Sequence, residues 1–287
     1  MVGGVEALPA APAQGGSAPA GSAPAPAGPT PAPLLEVRGL SKSFRGLDAL
    51  TDYDLRLPPL AIHGVIGPNG AGKTTLFHLL SGLMRPTRGT IALEGREITG
   101  RPAHDVARLG IGRTFQNIRL FGDLSVLDNV KVALQRDARP SLLRMFVSSP
   151  SFRRTERDLD ARTRELLVLF GLDRQRDRLA RNLPYGDQRR LEIARAVGIR
   201  PRILLLDEPN AGMNPTETQD LLGLIRRLRD DQGITIVLVA HDIPLIMRLC
   251  DTIQVLNYGR LIAEGDPATV RADPEVIAAY LGQARHA

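Results

Sequence analysis

The chain has 287 residues, a single cysteine and a formal net charge of +6, with a pI near 10.1. One cysteine excludes an intramolecular disulfide, and Cys250 beside Leu249 is predicted to be a packed core side chain. The apolar runs are short, and none approaches the roughly 18 residues that a membrane-spanning helix needs. The basic charge favours a negatively charged partner, such as a nucleotide, a nucleic acid or an anionic lipid.

Residues 1–33 are almost entirely alanine, proline, glycine and serine, and Glu6 is their one charged residue. Such a stretch cannot bury enough apolar surface to offset the entropy lost on ordering it. It also lacks the basic start and the continuous apolar run of a secretion signal. We therefore predict a disordered tail over residues 1–33 and a folded domain over residues 34–283.

Strands and helices alternate through the rest of the chain. Strands are predicted over residues 34–44, 53–57, 60–66, 90–93, 203–206 and 234–239, with two short ones around residues 258–259. Helices are predicted over residues 155–170, 216–230 and 243–249, and the whole stretch 102–191 reads as mainly helical. This alternation is typical of an α/β fold with a parallel sheet, into which the helical middle is inserted as a subdomain.

Arginine pairs occur at residues 153–154, 189–190 and 226–227, each within a helix-like segment that also holds acidic residues. Solvated helix faces explain these pairs at least as well as a nucleic-acid footprint does. Four tyrosines, seven phenylalanines and no tryptophan also leave few platforms for base stacking. We therefore expect no nucleic-acid partner.

A phosphate-loop pattern, G-x-x-x-x-G-K-T, lies between the strand predicted at residues 60–66 and a helix. Its glycines let backbone N–H groups face phosphates, and the helix presents its positive N-terminal end. Lys73 would neutralise the β- and γ-phosphates of a nucleotide, and the Thr74 hydroxyl would ligate Mg²⁺. The predicted nucleotide-binding residues here are Gly67, Pro68, Asn69, Gly70, Ala71, Gly72, Lys73, Thr74 and Thr75.

A second apolar strand, at residues 203–206, runs into two adjacent carboxylates, Asp207 and Glu208. Open α/β sheets hold their ligands at the carboxyl ends of strands, and charges placed there need polar partners. Asp207 suits Mg²⁺ coordination, directly or through water. Glu208 points elsewhere by strand alternation and suits the general base for an attacking water. The alternative reading, a helix cap at the strand end, is disfavoured by the glycine loop in the same chain.

In this order the motifs resemble the ATP-binding cassette (ABC) family, over residues 34–282. Residues 112–116 (GRTFQ) resemble its Q-loop, and residues 211–214 lie where its D-loop belongs. The resemblance implies that Gln116 contacts Mg²⁺ and the nucleophilic water, that His241 contacts the γ-phosphate and that Phe44 stacks on adenine. Taken one at a time, Gln116, His241 and Phe44 are explained equally well as structural residues. The residues resembling the signature motif are Leu183, Pro184, Tyr185, Gly186, Asp187 and Gln188.

The resemblance implies a P-loop NTPase nucleotide-binding domain with an antiparallel β subdomain and a helical subdomain inserted at about residues 117–191. Its cofactors are ATP and Mg²⁺. Two cassettes, as a homodimer or with a sister subunit, meet head to tail, so that each ATP lies between one phosphate loop and the other signature. The partners implied are two transmembrane permease subunits and a periplasmic or extracellular substrate-binding protein. The chain would sit on the cytoplasmic face of the inner membrane, held there through the permeases.

Variant motifs narrow the resemblance to the ATP-binding subunits of branched-chain amino acid importers. They are Tyr185 in the signature, residues 189–195, residues 113–117, residues 214–215, an insertion at residues 142–152, and the closing residues 263–267 and 274–282. The signature departs from the usual Leu-Ser-Gly-Gly-Gln, because Pro184 removes a hydroxyl and Asp187 adds a charge expected to weaken closure on ATP. The alternatives are an amide or urea importer, a lipopolysaccharide exporter, against which the insertion counts, and a nucleic-acid-associated ABC ATPase.

Overall fold

The structure, a computed structural model, describes residues 32–135, 150–240 and 243–281. Most of the predicted tail, most of the insertion at residues 142–152, and His241 lie outside these ranges. The disorder expected for residues 1–33 therefore stays a prediction.

Ten strands and nine helices make up the described part of the chain. The strands are β1 (Leu35–Phe44), β2 (Leu47–Leu57), β3 (Ile62–Ile66), β4 (Arg88–Leu93), β5 (Arg96–Glu97), β6 (Ile111–Arg113), β7 (Ile203–Asp207), β8 (Thr235–Val239), β9 (Thr252–Asn257) and β10 (Arg260–Gly265). The helices are α1 (Lys73–Leu80), α2 (Ala103–Arg108), α3 (Val126–Leu134), α4 (Pro150–Leu169), α5 (Tyr185–Gly198), α6 (Pro215–Asp230), α7 (Ile243–Leu249), α8 (Pro267–Ala272) and α9 (Pro274–Leu281).

Two sheets organise these elements. A four-stranded antiparallel sheet has the order β2-β1-β4-β5, and a six-stranded sheet has the order β10-β9-β3-β8-β7-β6. In the larger sheet β9, β3, β8, β7 and β6 run parallel, and only β10 is antiparallel to its neighbour. Every residue of β3, β7 and β8 is buried, as expected for parallel strands covered on both faces.

The six-stranded sheet separates two hydrophobic cores, and successive residues of one strand face different cores. In β7, Leu204 and Leu206 pack in the core shared with the larger helices, whereas Ile203 and Leu205 pack in the core that includes β1, β2 and α1. Cys250 is buried in the first of these cores, as predicted. Truncating one such leucine to alanine is expected to cost about 2–5 kcal/mol of folding free energy.

The strand and helix predictions are largely confirmed, with two corrections. The strand predicted to start at residue 60 begins at Ile62, because Leu60 adopts a left-handed turn with φ +60°. The stretch 102–191, predicted as mainly helical, contains the short strand β6, which pairs with β7. Three residues are too few for a periodic pattern, so only the pairing across the sheet reveals this strand.

The topology brings two loops to one edge of the larger sheet. Because β3, β8 and β7 are neighbouring parallel strands, their carboxyl ends lie side by side. The loop that follows β3 leads into α1, and β7 ends at Asp207. Between β6 and β7 the chain forms α3, α4 and α5, which pack on one another. No helix within the described ranges is long and apolar enough to cross a membrane.

Candidate active site

The side chain of Lys73 bonds the backbone of the loop between β3 and α1. Its Nζ donates to the carbonyl oxygens of Gly67 at 2.5 Å and Pro68 at 2.8 Å, and the side chain is only 8% exposed. Burial lowers the pKa of Lys73, and the nearby carboxylates of Glu208 and Asp207 oppose this shift. The loop therefore holds a desolvated ammonium, a group that an incoming anion stabilises strongly.

Glycines let the back of this loop pack closely on neighbouring strands. A Cβ at Gly67 would lie 2.1 Å from the carbonyl oxygen of Leu256, and one at Gly72 would lie 2.5 Å from that of Ala49. Gly72 also has φ +103°, a conformation that side chains rarely adopt. At Gly70 a Cβ would meet nothing within 4 Å. The loop thus packs against backbone carbonyls at Gly67 and Gly72 and has free space at Gly70, as a phosphate-binding loop requires.

The carboxyl end of β7 presents the two adjacent carboxylates. Asp207 is buried, its amide donates to the Thr114 hydroxyl at 3.2 Å, and its Oδ2 accepts from Arg113 Nη2 at 3.0 Å. Glu208 follows in the left-handed region with φ +46°, and its amide donates to the Val239 carbonyl at 2.8 Å. A non-glycine residue held there stores about 1–3 kcal/mol of strain, which is common at functional sites.

The other predicted site residues lie farther from this centre or outside the described ranges. Thr74 is exposed and Thr75 is half-buried in the first turn of α1. Gln116 is exposed just after β6. Phe44 ends β1 in the smaller sheet, and its ring is 42% exposed with the Lys42 ammonium 5.1 Å from its centroid. The structure therefore brings Lys73, Asp207 and Glu208 together but does not show a site for adenine.

The predicted signature residues form the start of α5. Pro184 is the N-cap residue, and Asp187 lies in the first helical turn, where a negative charge is favoured by the helix dipole. Asp187 Oδ2 accepts from Gln175 Nε2 at 2.7 Å, and its other oxygen lies 3.8 Å from Arg190 Nη1. The additional charge of this signature is therefore engaged within its own chain.

Tyr185 and Gly186 make close contact with the segment that follows Glu208. A Cβ on Gly212 would lie 2.9 Å from the Tyr185 ring, and a Cβ on Gly186 would lie 2.6 Å from the Glu217 carboxylate. Glu217 in turn forms a capping box with Asn214 at the start of α6. The signature loop and the start of α6 thus pack as one surface, with Pro184 and Tyr185 exposed.

Comparison with known proteins decides the family. A family model described as ABC transporter matches residues 50–211, and one described as Branched-chain amino acid ATP-binding cassette transporter matches residues 260–286. The chain is 46% identical over 252 residues to the high-affinity branched-chain amino acid transport ATP-binding proteins BraF of Pseudomonas aeruginosa and LivG of Escherichia coli K12. These alignments cover 88% of this chain and 99% of each relative. The chain belongs to the ABC transporter family.

The ABC cassette is accordingly an ATP-binding subunit and an ATPase, and the resemblance seen in its motifs is confirmed. Solved cassettes share its fold. It superposes on MJ1267, an ATP-binding cassette of an ABC transporter, with a TM-score of 0.76 at 27% identity, covering 86% of this chain and 98% of that one. The cbiO1 subunit from Clostridium perfringens gives 0.72 at 28% identity, covering 85% and 92%.

Arg113 has a partner in the cassette that the sequence did not reveal. Its side chain is almost completely buried, with Nη2 on Asp207 and Nη1 donating to Ser81 Oγ at 3.0 Å. The guanidinium also lies 5.6 Å from the ring centroid of Phe77 and 5.3 Å from that of Phe115. The only sequence signal was its position in the GRTFQ motif. Its pairing with Asp207 follows from β6 and β7 ending at the same sheet edge.

Arg189 is the second such residue, and here the prediction of a solvated helix face was wrong. Arg189 is completely buried, whereas the neighbouring Arg190 is partly exposed and bonds Asp220. Three residues farther along α5, Glu192 is buried on the same face and pairs with Arg189. Two opposite charges one helical turn apart, among apolar residues, were the signal available in the sequence.

We expect Arg113→Ala to destabilise the cassette by about 3–5 kcal/mol, because it leaves the buried Asp207 carboxylate without its cation. Equilibrium unfolding in urea measures this loss. The double variant Arg113→Met with Asp207→Asn removes both charges and should recover most of it. A loss below about 1 kcal/mol for Arg113→Ala, as for exposed ion pairs, would show that solvent already screens this pair.

Proposed function

We propose that the chain powers an importer of branched-chain amino acids by hydrolysing ATP. The choice of branched-chain amino acids as the solute is supported by the 46% identity to two relatives named as branched-chain amino acid transport ATP-binding proteins. The alignments cover nearly the whole length of these relatives. The match of residues 260–286 to the branched-chain family model supports it independently of the catalytic motifs. A relative named as a lipopolysaccharide export ATP-binding protein is 36% identical.

The loop at residues 67–75 is the proposed binding site for the nucleotide phosphates. Lys73 would exchange its bonds to the loop carbonyls of Gly67 and Pro68 for bonds to β- and γ-phosphate oxygens. This exchange is favourable because the phosphate oxygens carry negative charge, so each new bond joins opposite charges, whereas the carbonyl oxygens are neutral. Phe44, exposed at the end of β1, is proposed to stack on adenine.

The donors near the loop fit Mg²⁺ held jointly with a nucleotide. Among the described residues, no group of three or more histidine, cysteine or acidic side chains is arranged to hold a metal by itself. Mg²⁺ commonly takes one or two protein oxygens and completes its shell with phosphates and water. Asp207, the Thr74 hydroxyl and Gln116 are the proposed protein contacts. Mg²⁺ bound there would neutralise charge on the phosphate oxygens.

Glu208 is the proposed general base. Its carboxylate would take a proton from the water whose oxygen attacks the γ-phosphorus, while the bond from that phosphorus to the β–γ bridging oxygen breaks and ADP leaves. Its backbone is pinned in the left-handed conformation, so the side chain leaves the strand in a direction that ordinary β geometry would not give. His241, outside the described ranges, is proposed to contact the γ-phosphate.

The exposed signature surface is the proposed contact with a second cassette. Pro184 and Tyr185 would face the ATP held by the partner, whether that partner is another copy or a sister subunit. Gly186 lets the loop pack closely on the Glu217 carboxylate, and Leu183 and Gln188 anchor the loop, since Gln188 Nε2 donates to the Leu183 carbonyl at 2.9 Å. The Arg190 guanidinium, 3.8 Å from Asp187, would offset part of the negative charge that Asp187 presents to the partner's ATP.

A groove of about 490 Å³ beside the Gln116 loop is the proposed docking site for a transmembrane permease. Its wall includes Phe121, which is 47% exposed with the Arg195 guanidinium 4.5 Å from its ring centroid. Arg119 lies 4.3 Å from the ring of Phe115 in the same groove. An aromatic side chain in a partly apolar pocket is the usual anchor for a protein partner. Bound to two such permeases, the cassette would lie at the cytoplasmic face of the membrane. A substrate-binding protein on the other side would deliver the solute to the permeases.

The function is tested by reconstituting the chain with its permeases, sister cassette and substrate-binding protein in liposomes. We expect ATPase activity to rise with these partners and labelled leucine, isoleucine or valine to be taken up, with no uptake by a Glu208→Gln complex. Phe121→Ala should retain the basal ATPase activity of the isolated chain and lose the stimulation. Uptake of amides or urea instead, or stimulation by RNA, DNA or lipopolysaccharide carriers, would overturn the assignment.

A further inference from the structure

Arg189 contacts the backbone of two separate catalytic segments from inside the protein. On one side, its Nη1 donates to the carbonyl of Phe115 at 2.6 Å, directly before Gln116. On the other side, its Nη2 donates to the carbonyls of Asp207 and of Glu208, the latter at 2.8 Å, and its Nε approaches that of Pro209 at 3.4 Å. No protein side chain with fewer donors could satisfy these carbonyls together.

Glu192 orients this guanidinium. Its Oε2 accepts from Arg189 Nη1 at 2.6 Å, and its Oε1 accepts from the Phe115 amide at 3.2 Å. Both side chains are buried, so solvent does not screen the pair. The two residues lie on α5, whose first turn carries the exposed signature residues. One ion pair therefore joins the signature helix, the Gln116 loop and the end of β7.

The contact with Glu208 falls on the strained residue. Glu208 has φ +46°, and both polar groups of its backbone are engaged: its amide donates to the Val239 carbonyl, and its carbonyl accepts from the Ala211 amide at 3.1 Å and from Arg189. A left-handed non-glycine residue persists only where its surroundings over-determine it. Arg189 is the one of these three partners that lies on a helix beginning at the signature loop.

We propose that Arg189, oriented by Glu192, is a positioning residue that links the signature helix to the catalytic carboxylate of the same chain. Movement of α5 when the signature loop meets a partner's nucleotide would shift the backbone of Glu208 and of the Gln116 loop together. The two ATP sites of a dimer would thereby be coupled through this buried pair. This inference rests on the proposed roles of Glu208 and the signature loop, and it adds the residue pair that connects them.

The test uses Arg189→Lys and Glu192→Gln in the full-length chain, with Arg229→Lys as a matched control. Arg229 is also a helical arginine paired with acidic residues, Asp230 and Asp251, but it lies on α6 away from the site. Lysine keeps the charge of Arg189 and loses the planar fork. We expect kcat to fall at least tenfold in Arg189→Lys and several-fold in Glu192→Gln. The affinity for ADP should change less than twofold, because the phosphate loop does not contact the pair.

Hydrogen exchange gives a readout that a merely structural role would not move. In a Glu208→Gln background, where the nucleotide persists, ATP should protect amides at the start of α5 and also at residues 115–117 and at residues 207 and 208. Adding Arg189→Lys should retain protection at α5 and lose it at the other two segments. Protection retained at all three, or a kcat within twofold of wild type in a folded Arg189→Lys, would overturn the inference.

Failure of the coupling and failure of the proposed function give different outcomes. If Glu208→Gln hydrolyses ATP normally, the role of Glu208 is wrong, whatever Arg189 does. If Glu208→Gln is inactive while Arg189→Lys is fully active, only the coupling is wrong. Should Arg189→Lys fail to fold, a kcat within twofold of wild type in Glu192→Gln overturns the inference by itself.

Discussion

We expect Glu208→Gln to reduce ATP turnover by at least about 100-fold while leaving ATP binding intact. An amide has nearly the shape of the carboxylate but cannot accept the proton of the attacking water, and general-base catalysis typically contributes 10²–10⁴ in rate. The phosphate loop is unchanged, so the affinity for ATP should stay close to that of wild type. Steady-state phosphate release and equilibrium binding of ATP measure the two quantities separately.

The chain contains a matched control for this substitution. Glu94 is also a glutamate in the left-handed region, with φ +49°, but it is exposed and paired with Arg202 away from the site. Glu94→Gln therefore makes the same chemical change on the same kind of backbone and should leave turnover unaltered. If Glu208→Gln retained more than about a tenth of the wild-type rate, the base would have to be sought elsewhere.

We expect Lys73→Ala to weaken ATP and ADP binding by about 10–100-fold or more. The variant loses a desolvated ammonium positioned for phosphate oxygens, and hydrogen bonds to charged groups contribute about 1.5–3 kcal/mol each. Equilibrium titration with ADP measures the affinity without turnover. The free energy of unfolding of the nucleotide-free variant should be followed in parallel, so that lost binding is not confused with lost folding.

Lys131→Ala is the control for lost positive charge. Lys131 is on α3 and pairs with Asp160, outside the loop that would hold the phosphates. Nucleotide affinity should be unchanged in that variant. Normal ADP affinity in Lys73→Ala would contradict the role assigned to the phosphate loop, even if turnover were lost, because the loss would then arise in the chemical step alone.

Local sequence patterns were sufficient for the parts of the site that one continuous segment builds. The glycine loop between a buried strand and a helix could be placed because glycine spacing, a lysine and a helix start all lie within nine residues, 67–75. Asp207 and Glu208 were found because an apolar run ending in two charges has few stable arrangements. The α/β fold followed from the alternation of elements and from the family resemblance.

Contacts between distant segments could not be predicted in this way. Arg189 appeared to belong to a solvated helix face, because a pair of arginines beside acidic residues is normally exposed. Its burial depends on carbonyls at residues 115 and 207–209, which approach α5 only when β6 and β7 pair. The pairing of Arg113 with Asp207 and that of Asp187 with Gln175 likewise join separate segments, so the sequence pattern did not reveal them.

The sequence by itself thus determined the chemistry available to this protein: a phosphate-binding loop, a strand-end aspartate and a glutamate suited to activate water. These depend on residues adjacent in the chain, whose backbone geometry is set by glycine, strand and helix propensities. Only the tertiary structure decided how those groups are held, with Asp207 paired to Arg113 and the left-handed Glu208 bonded to Val239 and Arg189. A buried charge is stable only where several separate segments bring polar groups to it, and that convergence exists only in the folded chain.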